Sequence, residues 1–426
     1  MTSPASLRSL HKRPAPLGHA AGFWLVAGAF LIAMAFSVVP TPLWLLYEER
    51  DGFDTFGVTV AFSAYAVGVA ASLFLAGHLS DSVGRRTILI PALGLELLAA
   101  VLFLVWPGFA GLLVARAVTG LGVGMLTATA TAHILDLHAV SRPAAGPNLA
   151  ELVSTGANLG GFAVGGLVSG LLADFAPVPL LTPYLVFVVL LGAALVGVLL
   201  VPETVQRSTV RRTYRPQRIR VPRGSRGVFF GIAALAFAAF SVLGIFTSIA
   251  PSFVAGTLGI GSHSVAGLVV FVTFASAALA QVAVRRRPVA GRILLGSVLL
   301  VVGLAILAVD VVGGTSLAGF LAGGVVSGSA AGMLFTAALG AGAALAEPRF
   351  RGETLAGIFL AAYLGLALPV IGIGLATLSV PLPTAMVGFA ALIVTIVVAA
   401  TALVFVSLPA SALATGSSGP SGTAEA

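Results

Sequence analysis

The chain of 426 residues contains no cysteine, an absence that excludes disulfides, iron–sulfur clusters and thiolate zinc sites. Charge is almost as scarce: 8% of residues are Asp, Glu, Lys or Arg, against about a quarter in an ordinary soluble domain. Lys12 is the single lysine, and 14 acids stand against 22 basic residues. Six histidines are scattered without metal-site spacing, so neither a metal nor another cofactor is expected. No convergent set of nucleophile and base occurs either, which argues against an enzyme. A membrane sensor would usually carry a soluble output domain, and none is expected in the short tails. What the chain does have is apolar surface: 58% hydrophobic residues and a mean hydropathy of +1.10.

Such a composition belongs in lipid. Apolar stretches of about 18 residues or more read as membrane spans. They place twelve helices at 22–46, 57–77, 88–105, 109–131, 148–173, 180–201, 227–249, 264–284, 293–311, 317–345, 354–378 and 385–407. The expected fold is an all-α membrane protein of twelve transmembrane helices in two six-helix bundles, 22–201 and 227–407. The tails 1–21 and 408–426 are expected to be disordered, the latter for its Ser, Gly, Pro and Ala content. The first apolar run follows Arg8, Lys12 and Arg13 but is too long for a signal-peptide core, so it is expected to remain as the first helix.

With the spans numbered this way, all but two of the 22 basic residues fall in tails and connections that share one face. Positive charge marks that face as cytoplasmic, with both chain ends on it. The exceptions are Arg50, assigned to a loop on the opposite face, and Arg116, inside the fourth helix. The net charge of +8 sits in short loops beside headgroups, which fits a lipid bilayer as partner and not nucleic acid. Arg in place of Lys, with abundant Ala, Gly and Val, is the composition of a GC-rich genome, and the expected setting is a multi-pass monomer in a bacterial plasma membrane.

The long connection 202–226 carries Arg207, Arg211, Arg212, Arg215, Arg218, Arg220, Arg223 and Arg226, and no acid after Glu203. It reads as a solvated linker beside anionic headgroups. Sliding the second half over the first matches Gly111 with Gly319, Gly120 with Gly328, Gly124 with Gly332 and Met125 with Met333. One residue less of shift puts Arg85 on Arg292 and Arg142 on Arg349. Such matches indicate two parallel repeats, with a substrate site between them near the bilayer midplane.

Between the second and third spans runs Gly77-His78-Leu79-Ser80-Asp81-Ser82-Val83-Gly84-Arg85-Arg86. Gly77 admits a close helix approach and Gly84 a tight turn; Asp81 can accept bonds from a helix N-terminus, while Arg85 and Arg86 seek carboxylates. The segment resembles the signature loop of the major facilitator superfamily, in the position that family requires. The resemblance implies that Asp81 holds the start of the eleventh helix, near 352–355, when the transporter faces outward, and that Asp136 partners Arg85 or Arg86. The plain alternative is that these charges only fix topology and the turn. The second-half counterpart, Arg285 to Arg292, has Pro288 where the acid would stand, so the latch is one-sided.

Softer resemblances follow. Arg116, Gly120, Gly122 and Gly124 are similar to the family's RxxxGxGxG stretch. Arg116 reads as a group for substrate binding or proton coupling, or as a structural bond to carbonyls of a neighbouring helix. Gly120 and Gly124 mark close packing. The fifth span, with Gly156, Gly160, Gly161, Gly165 and Gly166, looks like the family's antiporter segment, but Phe162 replaces its usual proline; Pro369 stands at the equivalent position of the eleventh helix. Pro202-Glu203-Thr204 is a family-like exit from the sixth helix, with Glu203 a boundary charge or a partner for a loop arginine.

Candidate coupling groups are Arg116, Glu96, Glu151 and His133. Glu96 lies roughly 12 Å into the third helix, at a height that permits an ion pair with Arg116. Glu151 opens the fifth helix, where an acid suits the N-terminal dipole. Candidate cavity residues are Trp44, Tyr65, Asn158, Phe246, Gln281, Phe335 and Tyr363, a set suited to small amphipathic solutes. The expected function is proton-driven export of small drug-like organic molecules by alternating access. Proton symport or facilitated uptake of a metabolite is the alternative.

Overall fold

The computed structural model describes residues 17–76, 80–205, 217–221 and 224–407. The chain ends, Gly77 and most of the Arg-rich connection therefore lie outside the described residues. So does the Asp81 side chain, although its backbone is helical.

The first half comprises α1 (His19–Ser37), α2 (Trp44–Asp51), α3 (Thr55–Ala76), α4 (Ser80–Val83), α5 (Arg85–Val105), α6 (Phe109–Ser141), α7 (Asn148–Phe175) and α8 (Thr182–Leu199). The second comprises α9 (Arg226–Ser248), α10 (Ala250–Gly256), α11 (His263–Ala283), α12 (Val289–Gly313), α13 (Leu317–Leu345), α14 (Arg351–Thr377) and α15 (Leu382–Ser407). Among the described residues twelve helical spans are long and apolar enough to cross a membrane. With every backbone polar group in a span needing a partner and no water in hydrocarbon, helices are the form these segments must take.

The expected spans are present, with informative differences at their ends. The first is interrupted: Pro40 and Pro42 lack the N–H that a continuous helix would use, and a short 3-10 turn at Thr41–Leu43 joins α1 to α2. Arg50 consequently lies on helix α2, paired with Asp51 at 2.7 Å, and not in a loop. The fourth span runs on to Ser141, about three turns beyond 131. Apolar periodicity ends there, but polar residues of the extension find partners: His133 Nε2 bonds the Pro202 carbonyl at 3.2 Å, its Nδ1 alone staying unbonded, and Asp136 pairs with Arg85.

The halves meet along two helix pairs, α3 with α14 and α7 with α11. At the second crossing Gly166 and Gly267 face each other. A β-carbon on Gly166 would lie 2.8 Å from Val270 Cγ1, and one on Gly267 would meet the Gly166 carbonyl. Small residues let dispersion contacts form between backbones where lipid supplies no hydrophobic driving force. The predicted packing glycines act likewise within the first half: Gly120 and Gly124 abut α3, and Gly161 and Gly165 abut α1. Pro369 is buried within α14.

Candidate functional site: a central cavity

By chain alternation, α1, α5, α7, α9, α12 and α14 begin on the face from which the 202–226 connection emerges, here termed the linker face. At the far face the halves are bonded together. Thr41 Oγ1 and Trp44 Nε1, from the first half, both donate to the Thr247 carbonyl, at 2.9 and 3.2 Å. Asp174, in the last turn of α7, accepts from the Ser262 hydroxyl at 2.7 Å and from the backbone N–H groups of His263 and Ser264 at 3.0 and 2.8 Å. These are the unsatisfied donors that open α11, so the carboxylate caps a helix of the opposite half.

Behind this seal lies a cavity of about 450 Å³, lined by both halves. Its walls reach toward the linker face through Thr131, Leu135 and Ser154 of the first half and Gln281, Leu339 and Phe359 of the second. Tyr65, Asn158, Gln281, Phe335 and Tyr363 line it as the sequence indicated. Trp44 and Phe246 do not. Trp44 is spent on the far seal, and Phe246 packs against Phe320 with ring centroids 5.5 Å apart, because it sits on the side of α9 turned into its own half.

The second half contributes an aromatic wall. Phe240 packs on Phe335 at 4.7 Å and on Tyr363 at 5.5 Å, and Phe335 meets Phe359 at 5.8 Å. Across the interface Phe162 stacks on Phe274 at 5.0 Å. In the sequence Phe162 reads only as a departure from proline, yet a large aromatic in a glycine-rich stretch is a visible signal of a cavity residue. Phe240, Phe274 and Phe359 carried no such signal among 26 phenylalanines.

Arg116 forms part of the opposite wall. It is 1% exposed, donates to the Ser37 carbonyl at 2.7 Å, and lies over Tyr65, Phe62 and Trp44 at 4.5, 5.6 and 5.8 Å from the ring centroids. Ser37 is the last residue of α1, so the guanidinium meets the negative end of that helix. Glu96 does not form the anticipated ion pair. Its side chain is fully buried and neither carboxyl oxygen has a hydrogen-bond partner. Gly122 makes room for it: a β-carbon there would stand 2.6 Å from Glu96 Oε1.

At the linker face charges from several segments of the first half form one network. Arg85 Nε contacts Asp136 at 3.2 Å, which also accepts from the Thr204 hydroxyl at 3.2 Å. Arg86 turns instead to the Val201 carbonyl, at 2.9 Å. Glu203 is more than a boundary charge: its carboxylate accepts the backbone N–H groups that open α5, while the loop arginines 207–215 that could partner it lie outside the described residues. His133 is buried against Pro202 and Glu151 is exposed in the first turn of α7, and neither lines the cavity.

A smaller cavity of about 210 Å³ adjoins the central one, sharing Leu73, Ala128, Phe359 and Tyr363 with it. Linker residues strap its mouth. Gln217 lines it and donates its N–H to the Phe74 carbonyl at 2.9 Å, while Arg220 N–H bonds the Glu353 carbonyl at 3.3 Å and Thr354 donates to the Arg220 carbonyl at 3.2 Å. The end of α3 and the start of α14 are thus joined through residues 217–221.

Twelve spans, two halves crossing at α3–α14 and α7–α11, and a central cavity between them form the architecture of an alternating-access carrier. The human organic anion transporter MFSD10 (TETRAN) has a similar structure, with a TM-score of 0.63 at 16% identity over 90% of this chain and 99% of that one. No curated protein sequence matches the chain. The sequence profile of the Major Facilitator Superfamily matches residues 25–368, and the chain belongs to that superfamily of multi-pass membrane transporters.

Proposed function

We propose that this protein exports small amphipathic organic solutes from the cytoplasm by alternating access, in exchange for protons. The observation that carries the reading is the cavity of about 450 Å³ shared by both halves. Its size and its mixture of aromatic walls with amide and hydroxyl groups suit a drug-sized ligand. It is sealed at the far face and extends toward the linker face, which the arginine distribution assigns to the cytoplasm. Cargo for export would enter from there. Glu96 supports proton coupling: an unpartnered carboxyl deep in the first bundle is a group whose charge the protein does not stabilise by hydrogen bonds. In the same reading Asp81 latches the alternate state at the start of α14.

Purified protein in liposomes containing a pH-sensitive dye, given a panel of amphipathic aromatic probes, tests the proposal. Expected is probe flux driven by an imposed pH gradient, with opposite proton movement that Glu96→Gln abolishes and Asp81→Asn slows. Flux and proton movement in the same direction would establish symport. Flux equal in protein-free liposomes would overturn the transporter reading itself.

A further inference from the structure

Among the described residues Arg116 is the one charged residue lining the central cavity. Among the described residues no carboxylate lies within ion-pairing distance of its guanidinium, a single hydrogen bond to Ser37 holds it, and its Nε has no partner. Burial of a cation without a counter-ion is costly in a membrane protein, and three aromatic rings offset only part of that cost. The Ser37 carbonyl gives Arg116 a structural task at the end of α1, but it leaves a planar fork of donors short of an acceptor. Opposite stands the aromatic wall of Phe240, Phe335, Phe359 and Tyr363, which offers apolar surface and no charge.

We infer that the cargo is an amphipathic organic monoanion: a carboxylate or sulfonate that pairs with Arg116 and an aromatic or aliphatic body that lies on the wall of the second half. The inference rests on the transporter reading above and adds the sign of the cargo's charge. A guanidinium matches the two oxygens of such a head group in fork geometry. One cation admits one negative charge, since a second would enter the cavity uncompensated. A cationic amphiphile would meet Arg116 with like charge and find no acid on the walls. The anion bridges the two halves, anchored on α6 in the first and packed on α9, α13 and α14 in the second, so its departure changes what holds them together.

The test uses three probes of one shape, 2-naphthoate, 2-naphthamide and 2-naphthylmethylamine, titrated against the purified full chain by tryptophan fluorescence and compared in liposome counterflow. Expected is naphthoate binding about tenfold or more tighter than the amide, with the amine weakest, since a bond to a charged group accounts for that ratio. In Arg116→Gln the acid loses its advantage over the amide, the ratio of the two affinities falling to about one; a purely structural role would lower all three probes together and leave that ratio in place. Arg116→Lys retains part of the preference. Should Arg116→Gln fail to fold, Ser37→Asp supplies the guanidinium with an internal carboxylate and removes the preference by another route. Amide or amine binding as tightly as the acid, or an acid preference that survives both variants, overturns the assignment. Counterflow separates the two levels: uncharged probe exchanged without preference leaves a transporter of different cargo, and no exchange of any probe removes the transporter reading as well.

Discussion

Glu203 accepts the backbone N–H of Arg85 at 2.9 Å and that of Arg86 at 3.0 Å, so the end of the sixth span caps the start of the third. Gly84, at the turn between them, has φ +118, and a β-carbon there would lie 2.5 Å from Glu203 Oε2. The arrangement ties the turn before α5 to the exit from α8 at the linker face.

Removal of this cap is expected to be felt as stability. Glu203→Ala should cost about 0.5–2 kcal/mol, the usual worth of a helix N-cap. Gly84→Ala should be worse, because the residue both adopts a left-handed backbone and displaces the carboxylate. Thermal unfolding followed by tryptophan fluorescence in detergent gives the order; a Glu203→Ala protein as stable as wild type would show that the cap contributes nothing.

Gly122 and Glu96 should be energetically coupled. Gly122→Ala places a methyl group against Glu96 Oε1, whereas Glu96→Ala empties the space that methyl would enter. The double variant is expected to recover stability relative to the sum of the single ones, with a coupling of about 0.5–3 kcal/mol. Strict additivity in a denaturation cycle would mean the two side chains do not share that space.

The far seal depends on Asp174. Asp174→Ala leaves two N–H groups of α11 and the Ser262 hydroxyl unsatisfied. Opening at that face should rise about tenfold, the equivalent of one hydrogen bond to a charged group. Because the chain has no cysteine, Ser248→Cys, a buried position at the end of α9, reports opening without background. Faster modification by a membrane-impermeant thiol reagent is expected, and an unchanged rate would remove Asp174 from the gate.

Orientation is expected to follow the arginines. Ser225→Cys beside the linker and Glu49→Cys on α2 should be labelled from opposite sides of the cell membrane, the first from the cytoplasm. Labelling of both from one compartment contradicts the twelve-span topology.

Much of this architecture was legible in the sequence because hydrocarbon imposes few solutions. Runs of apolar residues must become helices, and arginine must stay on the side that does not cross. Gly84 and Arg85 announced the loop they occupy for the same reason: a backbone and a charge with few places to go. The extension of α6 was not legible, since His133 and Asp136 look like an end until Pro202 and Arg85 arrive from other segments to bond them.

The cavity was only half legible. Tyr65, Asn158, Gln281, Phe335 and Tyr363 were found by depth and polarity, but Trp44 and Phe246 have the same depth and face elsewhere. In a helix apolar on every side, no periodicity tells lipid from neighbour from cavity. Sequence composition thus determined the spans and their number, because each is decided by transfer from water to hydrocarbon, one segment at a time. Only the tertiary structure decided that Glu203 caps α5, that Glu96 and Arg116 stay unpaired and that Asp174 reaches α11. Those outcomes depend on rotation about helix axes and on which faces meet, and packing between segments sets both.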